Sequence, residues 1–455
     1  MSKFGLAFLA LFFGGILYAF MITPTAAFVL YQLVYFLNPD NRWWSASIPG
    51  LRYSMITVLL MVCVLTLHYR RLSELSPWHR QPVFKWIIGL LVLYFYMNWH
   101  AVNPVLHRQF TIDLFKLIVI ILIAYKLIHS ERALHAVLWA YVLGATYIGY
   151  LATVTGRNMF GRVEGIGMVD GTDANDTSAA LVPATILLMY FAWMGSKKVK
   201  VLCVLCGALL ANGLVLANSR GAFLGISVGV GTYILIMLFS RYQKPGQRVM
   251  ALLIVALGLG GGLYVTDDLF WERMGTLQSL DDGAVSGASR TEFWLVTFDI
   301  MRDYPTGVGI NGYQTLSSLY LSEDQLPRNH TSRAVHSSWF QLLAELGWPG
   351  PIVFAGLLGA LYLQNRRTKR WLLSEQRTDE YFLILALECA FLAYLVTVSV
   401  IDRFRAEVFY WQFLFMAAAA NVYYLQAQQR LQEHKNSKAR QDALSLTKRK
   451  ELTLS

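Results

Sequence analysis

Charged residues are scarce in this sequence: Asp, Glu, Lys and Arg make up 15% of its 455 residues, where soluble domains carry about 25%. Apolar residues instead reach 56%, against about 45–50% in soluble proteins, and the mean hydropathy is +0.44. A soluble globular domain is excluded, and a polytopic membrane protein is what such a chain makes. Acidic residues are the scarcer sign, 28 against 39 basic, for a net charge of +11. The basic residues form short clusters between apolar runs rather than one groove-lining patch, which argues against a nucleic-acid partner and makes them topology signals. Cysteine is nearly absent. Cys63, Cys203, Cys206 and Cys389 all lie in apolar runs with no soluble redox domain around them, so they read as packing thiols. No fixed-period repeat appears, and a weakly basic N-terminus without a small-residue cleavage site predicts no removable signal peptide.

Runs of roughly 17 to 25 apolar residues mark membrane crossings. They fall near 50–68, 84–101, 108–128, 133–154, 178–195, 199–217, 221–239, 249–266, 338–363, 381–401 and 408–425. Residues 4–38, interrupted at Gly14-Gly15 and Thr23-Pro24, make one broken crossing or two short ones. The expectation is an all-α integral membrane protein with about twelve transmembrane helices. Basic clusters at Arg70–Lys85, Lys126–Arg132, Lys197–Lys200, Arg241–Arg248 and Arg366–Arg370, together with the tail, all fall on one side, which is therefore cytoplasmic. The opposite side receives a long loop, 267–337. Residues 1–425 then form one transmembrane domain that includes this loop, and 426–455 a basic cytoplasmic tail.

Several polar features converge on the external side. His336 stands where the loop meets an apolar run that Gly347, Pro349 and Gly350 should break. An imidazole there suits proton transfer near neutral pH, or simply caps a helix. Arg220 sits in the tight turn Asn218-Ser219-Arg220-Gly221, as a site residue or as one that snorkels to headgroups. Arg290 opens a helix predicted to run to about Arg302, and either serves a site or pairs with Glu292. The run Gly307 to Tyr313 has the look of a phosphate-cradling loop, but no strand and helix flank it as a dinucleotide fold requires, so a glycine-rich turn is the plainer reading. Arg157 and Arg162 precede the acidic run Asp170, Asp173, Asn175 and Asp176, which lacks the spacing and closing glutamate of a calcium loop. Asp113 and Lys116 should pair within a crossing, and Asp402 lies in the short turn before the last one.

The histidine stretch, His336-Ser337, nine residues, Gly347, two residues and Gly350, resembles the signature motif of the bacterial O-antigen ligases. Ser219-Arg220-Gly221, Arg290 with Trp294, the Gly307 turn and His336, in that order, are similar to the wider superfamily of O-antigen ligases, O-antigen polymerases and O-linked oligosaccharyltransferases. The resemblance spans roughly residues 150 to 425, and Asn38-Pro39 is less specifically similar to ligase-like proteins near exosortase systems. It implies a GT-C-type glycosyltransferase of the bacterial inner membrane, with its site on the periplasmic side. Such an enzyme moves a glycan from undecaprenyl diphosphate to a sugar of the lipid A core, with no cofactor and no metal. By position, His336 matches the proposed general base and Arg220 and Arg290 the diphosphate-binding arginines. Arg162, Asp402 and Lys116 are further candidates. Ser337 stands where some members have Asn, which leaves the acceptor open among lipid A core, a second glycan and protein.

The residue types suit that chemistry. A sugar hydroxyl becomes a nucleophile when a base takes its proton, and a diphosphate departs when its growing charge is stabilised. Guanidinium groups do this through paired hydrogen bonds without a metal. Attack opposite the leaving group inverts the anomeric carbon. The competing class is a transporter of polyprenyl glycans using Asp113, Lys116 and Glu388, but the chain lacks a transporter's repeat.

Overall fold

The computed structural model describes residues 2–171, 173–275, 288–321 and 332–438. The stretches 276–287 and 322–331 of the expected external loop, and 439–455 of the expected tail, lie outside the described residues. Among those described, the chain is helical and has no strand. The first helices are α1 Lys3–Met21, α2 Ala26–Leu37, α3 Tyr53–Leu67, α4 Tyr69–Leu75, α5 Pro82–Tyr96 and α6 Pro104–Leu127. Then come α7 Glu131–Thr155, α8 Ala174–Met194, α9 Lys197–Ala217, α10 Arg220–Phe239 and α11 Gln247–Val265. The loop region holds α12 Asp268–Gly275, α13 Ala288–Asp303, α14 Gly312–Tyr320 and α15 Ser338–Leu346. The chain closes with α16 Pro349–Ser374, α17 Thr378–Val398 and α18 Glu407–Ala420.

Nine of the described helices are long and apolar enough to cross a bilayer, or ten if the bent pair 53–80 counts as one span. By length and hydropathy alone fewer than the expected twelve are counted among the described residues, for identifiable reasons. The run 338–363 is two helices: α15 ends at Gly347 in the left-handed region, and α16 restarts with Pro349 at its first position, where a missing N–H costs nothing. The polar stretch from Gln364 to Arg370 then dilutes α16. In α6 the obstacle is charge, since Arg108, Asp113, Lys116 and Lys126 lie along it. Residues 4–38 are two helices, and the twelve residues of α2 are too few to cross alone. After α18 the chain passes through a π-helical turn, Asn421–Leu425, and stays helical to Lys438.

α8, α17 and α18 are mostly buried, whereas α1 and α11 expose nearly their whole length. Small residues let the central helices approach closely: a Cβ on Gly225 of α10 would meet Ala393 O of α17 at 2.5 Å. This is how helices associate where lipid replaces water. The loop elements have a core of their own, built from Phe293, Ile300, Met301, Val308, Tyr313, Leu316, Val335 and Leu343. Burying a large apolar side chain from water contributes roughly 1.5–3 kcal/mol, so α13, α14 and α15 form a packed cap on one end of the bundle.

Candidate active site

The cap and the bundle end enclose a cluster of arginines around one histidine. Asn218 takes the left-handed conformation that ends α9, and Ser219 caps α10, so Arg220 becomes the first residue of a helix whose N-terminus carries the positive end of its dipole. Arg162 reaches the same corner. Its Nη2 donates to Asn175 Oδ1 at 2.8 Å and its Nε to Ala217 O at 3.3 Å, while Ser219 Oγ donates to the same Asn175 oxygen at 2.9 Å. Burial lowers the Arg162 pKa, offset by Asp173 and Glu164 and reinforced by Arg220.

Arg290 lies in the first turn of α13, which is fixed by Trp294 stacked on Phe340 of α15 at 5.4 Å. Its pKa is lowered by burial and then by Arg220; Asp402 opposes, and Arg162 and Arg333 add to the repulsion. Arg333 is anchored by its own N–H to Ser317 Oγ at 2.9 Å, and its guanidinium lies 4.5 Å over the Phe293 ring.

His336 has a φ of 53°, a conformation that costs a non-glycine residue and that recurs at functional sites. Asp402 holds it there: Oδ2 accepts the His336 N–H at 3.0 Å and Oδ1 the Ser337 N–H at 2.8 Å. Ser338 Oγ adds bonds to Ile401 O and from Arg403 N, both at 2.8 Å. The capping role weighed for His336 is not what is found, because Ser337 occupies the N-cap position of α15. The imidazole makes no hydrogen bond among the described residues. Burial first, then Arg290 and Arg333, push its pKa down to about 4, against a smaller pull from Asp173. The ring is therefore neutral at working pH. Burial pushes Asp402 up to about 6, despite the two N–H groups that favour its charge.

Beneath this surface a buried polar layer fixes the loop that carries Asp402. Arg405 pairs with Glu345, which also accepts from Tyr94 Oη at 2.8 Å. Arg403 pairs with Asp176 at 3.5 Å and donates to Asp170 O. The acidic run is largely engaged in the same way. Asp170 accepts from Tyr35 Oη at 2.9 Å and Glu407 N at 2.7 Å, and Asp173 caps α8 through Asp176 N at 2.8 Å. Among the described residues no three His, Cys, Asp or Glu side chains gather as a metal-binding group.

The glycine run is a turn and offers no cradle. Val308 N and Gly309 N donate to Ala344 O and Glu345 O at 2.8 and 3.0 Å, and Ile310 N to His107 Nδ1 at 2.9 Å. The first two amides satisfy carbonyls in the last turn of α15. Lys116 stands apart from the cluster. It forms the expected pair with Asp113, at 2.9 Å, but on the outer surface of α6 with both side chains exposed, and among the described residues no contact links them to the site. Glu388 likewise pairs with Lys369 at 2.6 Å.

Sequence reasoning missed Arg273 of α12 and Arg333. Burial lowers the Arg273 pKa, and Arg162, Arg220 and Arg290 lower it further, so it belongs to the same cluster. The available signals were Arg333's place three residues before His336, and Arg273's one turn after Phe270 on an amphipathic helix.

Residues 205–355, one third of the chain, match a family model described as O-antigen ligase. The match contains Arg220, Arg273, Arg290, Arg333 and His336, and the chain is similar to that family over this stretch. No curated protein matches the sequence.

Proposed function

We propose that this protein is a membrane glycosyltransferase that moves a glycan from undecaprenyl diphosphate to a sugar hydroxyl of the lipid A core. The observation that carries the reading is a neutral imidazole, free of hydrogen bonds among the described residues, at the edge of an arginine cluster inside the ligase-like region. His336 takes the proton of the acceptor hydroxyl as the new bond to the anomeric carbon forms. The bond from that carbon to the diphosphate oxygen breaks on the opposite face, inverting the centre. Arg220 and Arg290, with Arg162 beside them, balance the charge that collects on the leaving diphosphate. Guanidinium groups suffice for this, so the reaction needs no divalent ion. The polyprenyl chain lies among the apolar helices, and the site faces the periplasm of the bacterial inner membrane.

Binding the donor also tunes the base. Burial is the main cause of the low His336 pKa, but Arg290, which adds to it, is a group a diphosphate neutralises, so the imidazole becomes more basic once the donor is seated. The charged residues on which transport would depend are ion-paired, Lys116 with Asp113 and Lys369 with Glu388. The test is reconstitution of the purified protein with lipid-linked glycan and three acceptors: lipid A core, a second lipid-linked glycan and a protein. Mass gained by the lipid A core alone is the expected result. Gain by the second glycan or by the protein would make the enzyme a polymerase or a protein glycosyltransferase, and gain by none would remove the reading.

A further inference from the structure

Between α10 and α11 the chain turns around a hollow of about 310 Å³ lined by Arg241, Gln243, Lys244, Gly246 and Arg248. The 20 residues of α10 run from Arg220 to Phe239, about 30 Å at 1.5 Å per residue. The hollow therefore lies at the other face of the membrane from Arg220, the face that the basic clusters mark as cytoplasmic. The clusters Lys197–Lys200 and Arg366–Arg370 each lie within a single helix, α9 and α16, whereas here the backbone folds its cations around a space of small-ligand size. Arg241 Nη2 donates to Tyr242 Oη at 2.9 Å and Arg248 Nε to Gln243 Oε1 at 2.8 Å. Both acceptors are neutral, so they hold the guanidinium groups in place and leave their charge. Lys244 is tied to Asp379 of α17 at 2.5 Å. With its oxygen taken by Arg248, Gln243 keeps a buried Nε2 that has no acceptor among the described residues. Gly246, at a φ of 83°, starts α11 with no side-chain cap, which adds the positive end of that helix's dipole to the same hollow.

We propose that this hollow binds an anionic phospholipid of the surrounding leaflet, its phosphate held by Arg241 and Arg248 and by Gln243 Nε2, its acyl chains running along α10 and α11. A phosphodiester keeps its negative charge, and its oxygens match the two-pronged guanidinium donor. The depth suits a headgroup: Tyr242 meets Tyr381 of α17 edge-on at 5.5 Å, and tyrosines mark the membrane–water boundary. The walls suit acyl chains. Leu235 and Phe239 of α10 and Val249, Leu252 and Leu253 of α11 are exposed, and Ala251 is the one buried residue of α11. A helix packed so little against its own protein takes its lateral support from lipid. Basic pockets between transmembrane helices on the cytoplasmic side are known seats of anionic headgroups. A lipid seated here bridges the end of α10 and the start of α11, and so braces α11, which leads directly into α12, against the bundle. A soluble phosphate offers the same oxygens but no chains to bury. The inference is independent of the donor reading, since no substrate enters it.

Native mass spectrometry of the full-length protein in a neutral detergent, titrated with phosphatidylglycerol, phosphatidylcholine or inorganic phosphate, tests this. The unmutated protein should bind one phosphatidylglycerol at least about tenfold more tightly than phosphatidylcholine, because the choline group meets the same cations. Inorganic phosphate should bind more weakly still, since it buries no apolar chain. Arg241→Gln and Arg248→Gln, both at exposed positions where the fold tolerates change, should each lose about tenfold in phosphatidylglycerol affinity and leave phosphatidylcholine binding unchanged. Arg241→Lys and Arg248→Lys should fall between, because lysine keeps the charge without the planar fork. Arg366→Gln combined with Arg370→Gln removes two exposed charges from a different cluster on the same face and should bind as the unmutated protein does. An equal loss in that double variant would reduce the effect to general attraction between a basic face and an anionic lipid, and overturn the site. Phosphatidylglycerol binding unchanged in both the Arg241→Gln and Arg248→Gln variants would overturn it as well. Phosphate that displaces phosphatidylglycerol at equal concentration would replace the lipid by a free anion and overturn the proposal.

Discussion

Asp402 grips His336 by the backbone and not by the ring, its two carboxylate oxygens taking the N–H groups of His336 and Ser337 at 3.0 and 2.8 Å. Asp402→Asn leaves one oxygen where two are needed, and turns an amide N–H toward a backbone donor. Leaving a buried N–H without its acceptor costs roughly 1–3 kcal/mol, so the variant should melt earlier and transfer more slowly. Asp402 has its folded pKa raised to about 6, which means its contribution to stability is full below its unfolded value of about 3.9 and is lost as pH rises through 6. The melting deficit of the variant should therefore be larger at pH 4.5 than at pH 7.5. Equal deficits at the two pH values would contradict the buried-carboxylate account.

His336→Ala should lower transfer by about 10²- to 10⁴-fold, the usual cost of losing a general base, while polyprenyl-diphosphate binding persists. Near-normal turnover would make the histidine structural.

The pH profile carries a separate signature. With His336 pushed down to about 4 in the free protein, the acid limb of kcat/KM should lie below the ordinary histidine value of about 6.5. Once donor is bound, the arginine field is offset, so the limb of kcat should appear at higher pH than that of kcat/KM. Limbs that coincide would show that the donor does not tune the base through the arginines, and limbs at 6.5 would contradict its burial as well.

If Arg220 and Arg290 offset the diphosphate charge, as proposed, transfer should survive a strong chelator. Arg220→Lys and Arg290→Lys should each be poor enzymes, since a point charge replaces a two-pronged donor. Transfer stopped by chelator, restored by magnesium and unaffected by both lysine variants would move the charge balance to the acidic run at 170–176.

Gly307→Ala separates the turn from a phosphate cradle. Gly307 has a φ of 97°, and a Cβ there would meet Gly347 N at 2.5 Å and Glu345 O at 2.7 Å. Strain of this kind costs on the order of 1–3 kcal/mol, so the melting temperature should fall while folded protein still binds farnesyl diphosphate. Intact stability with lost binding would restore the cradle.

Much of this fold was legible because lipid imposes simple rules: long apolar runs became helices, and Gly347 with Pro349 broke one where expected. The site was legible where local chemistry marks it, as at Arg220, which follows an Asn-Ser pair that ends one helix and caps the next. It was hidden where function depends on contacts distant in sequence. Nothing near Asp402 announces that it holds a backbone turn 66 residues away. Lys116 misled for the opposite reason, since a charge in an apolar run looks buried until the packing shows which face it occupies. The glycine run misled too, because a pattern of glycines does not reveal whether its amides are free or already bound to α15.

The grip of Asp402 on His336 has a consequence for biosynthesis. At about 5–20 residues per second, roughly 10 to 40 s pass between the emergence of Arg220 and that of Asp402. For the last 66 residues of that interval the histidine exists, but nothing holds its backbone in the left-handed turn. On the proposed mechanism, a nascent chain that already presents the arginines has no positioned base until the helix Thr378–Val398 has been inserted and the turn behind it closes.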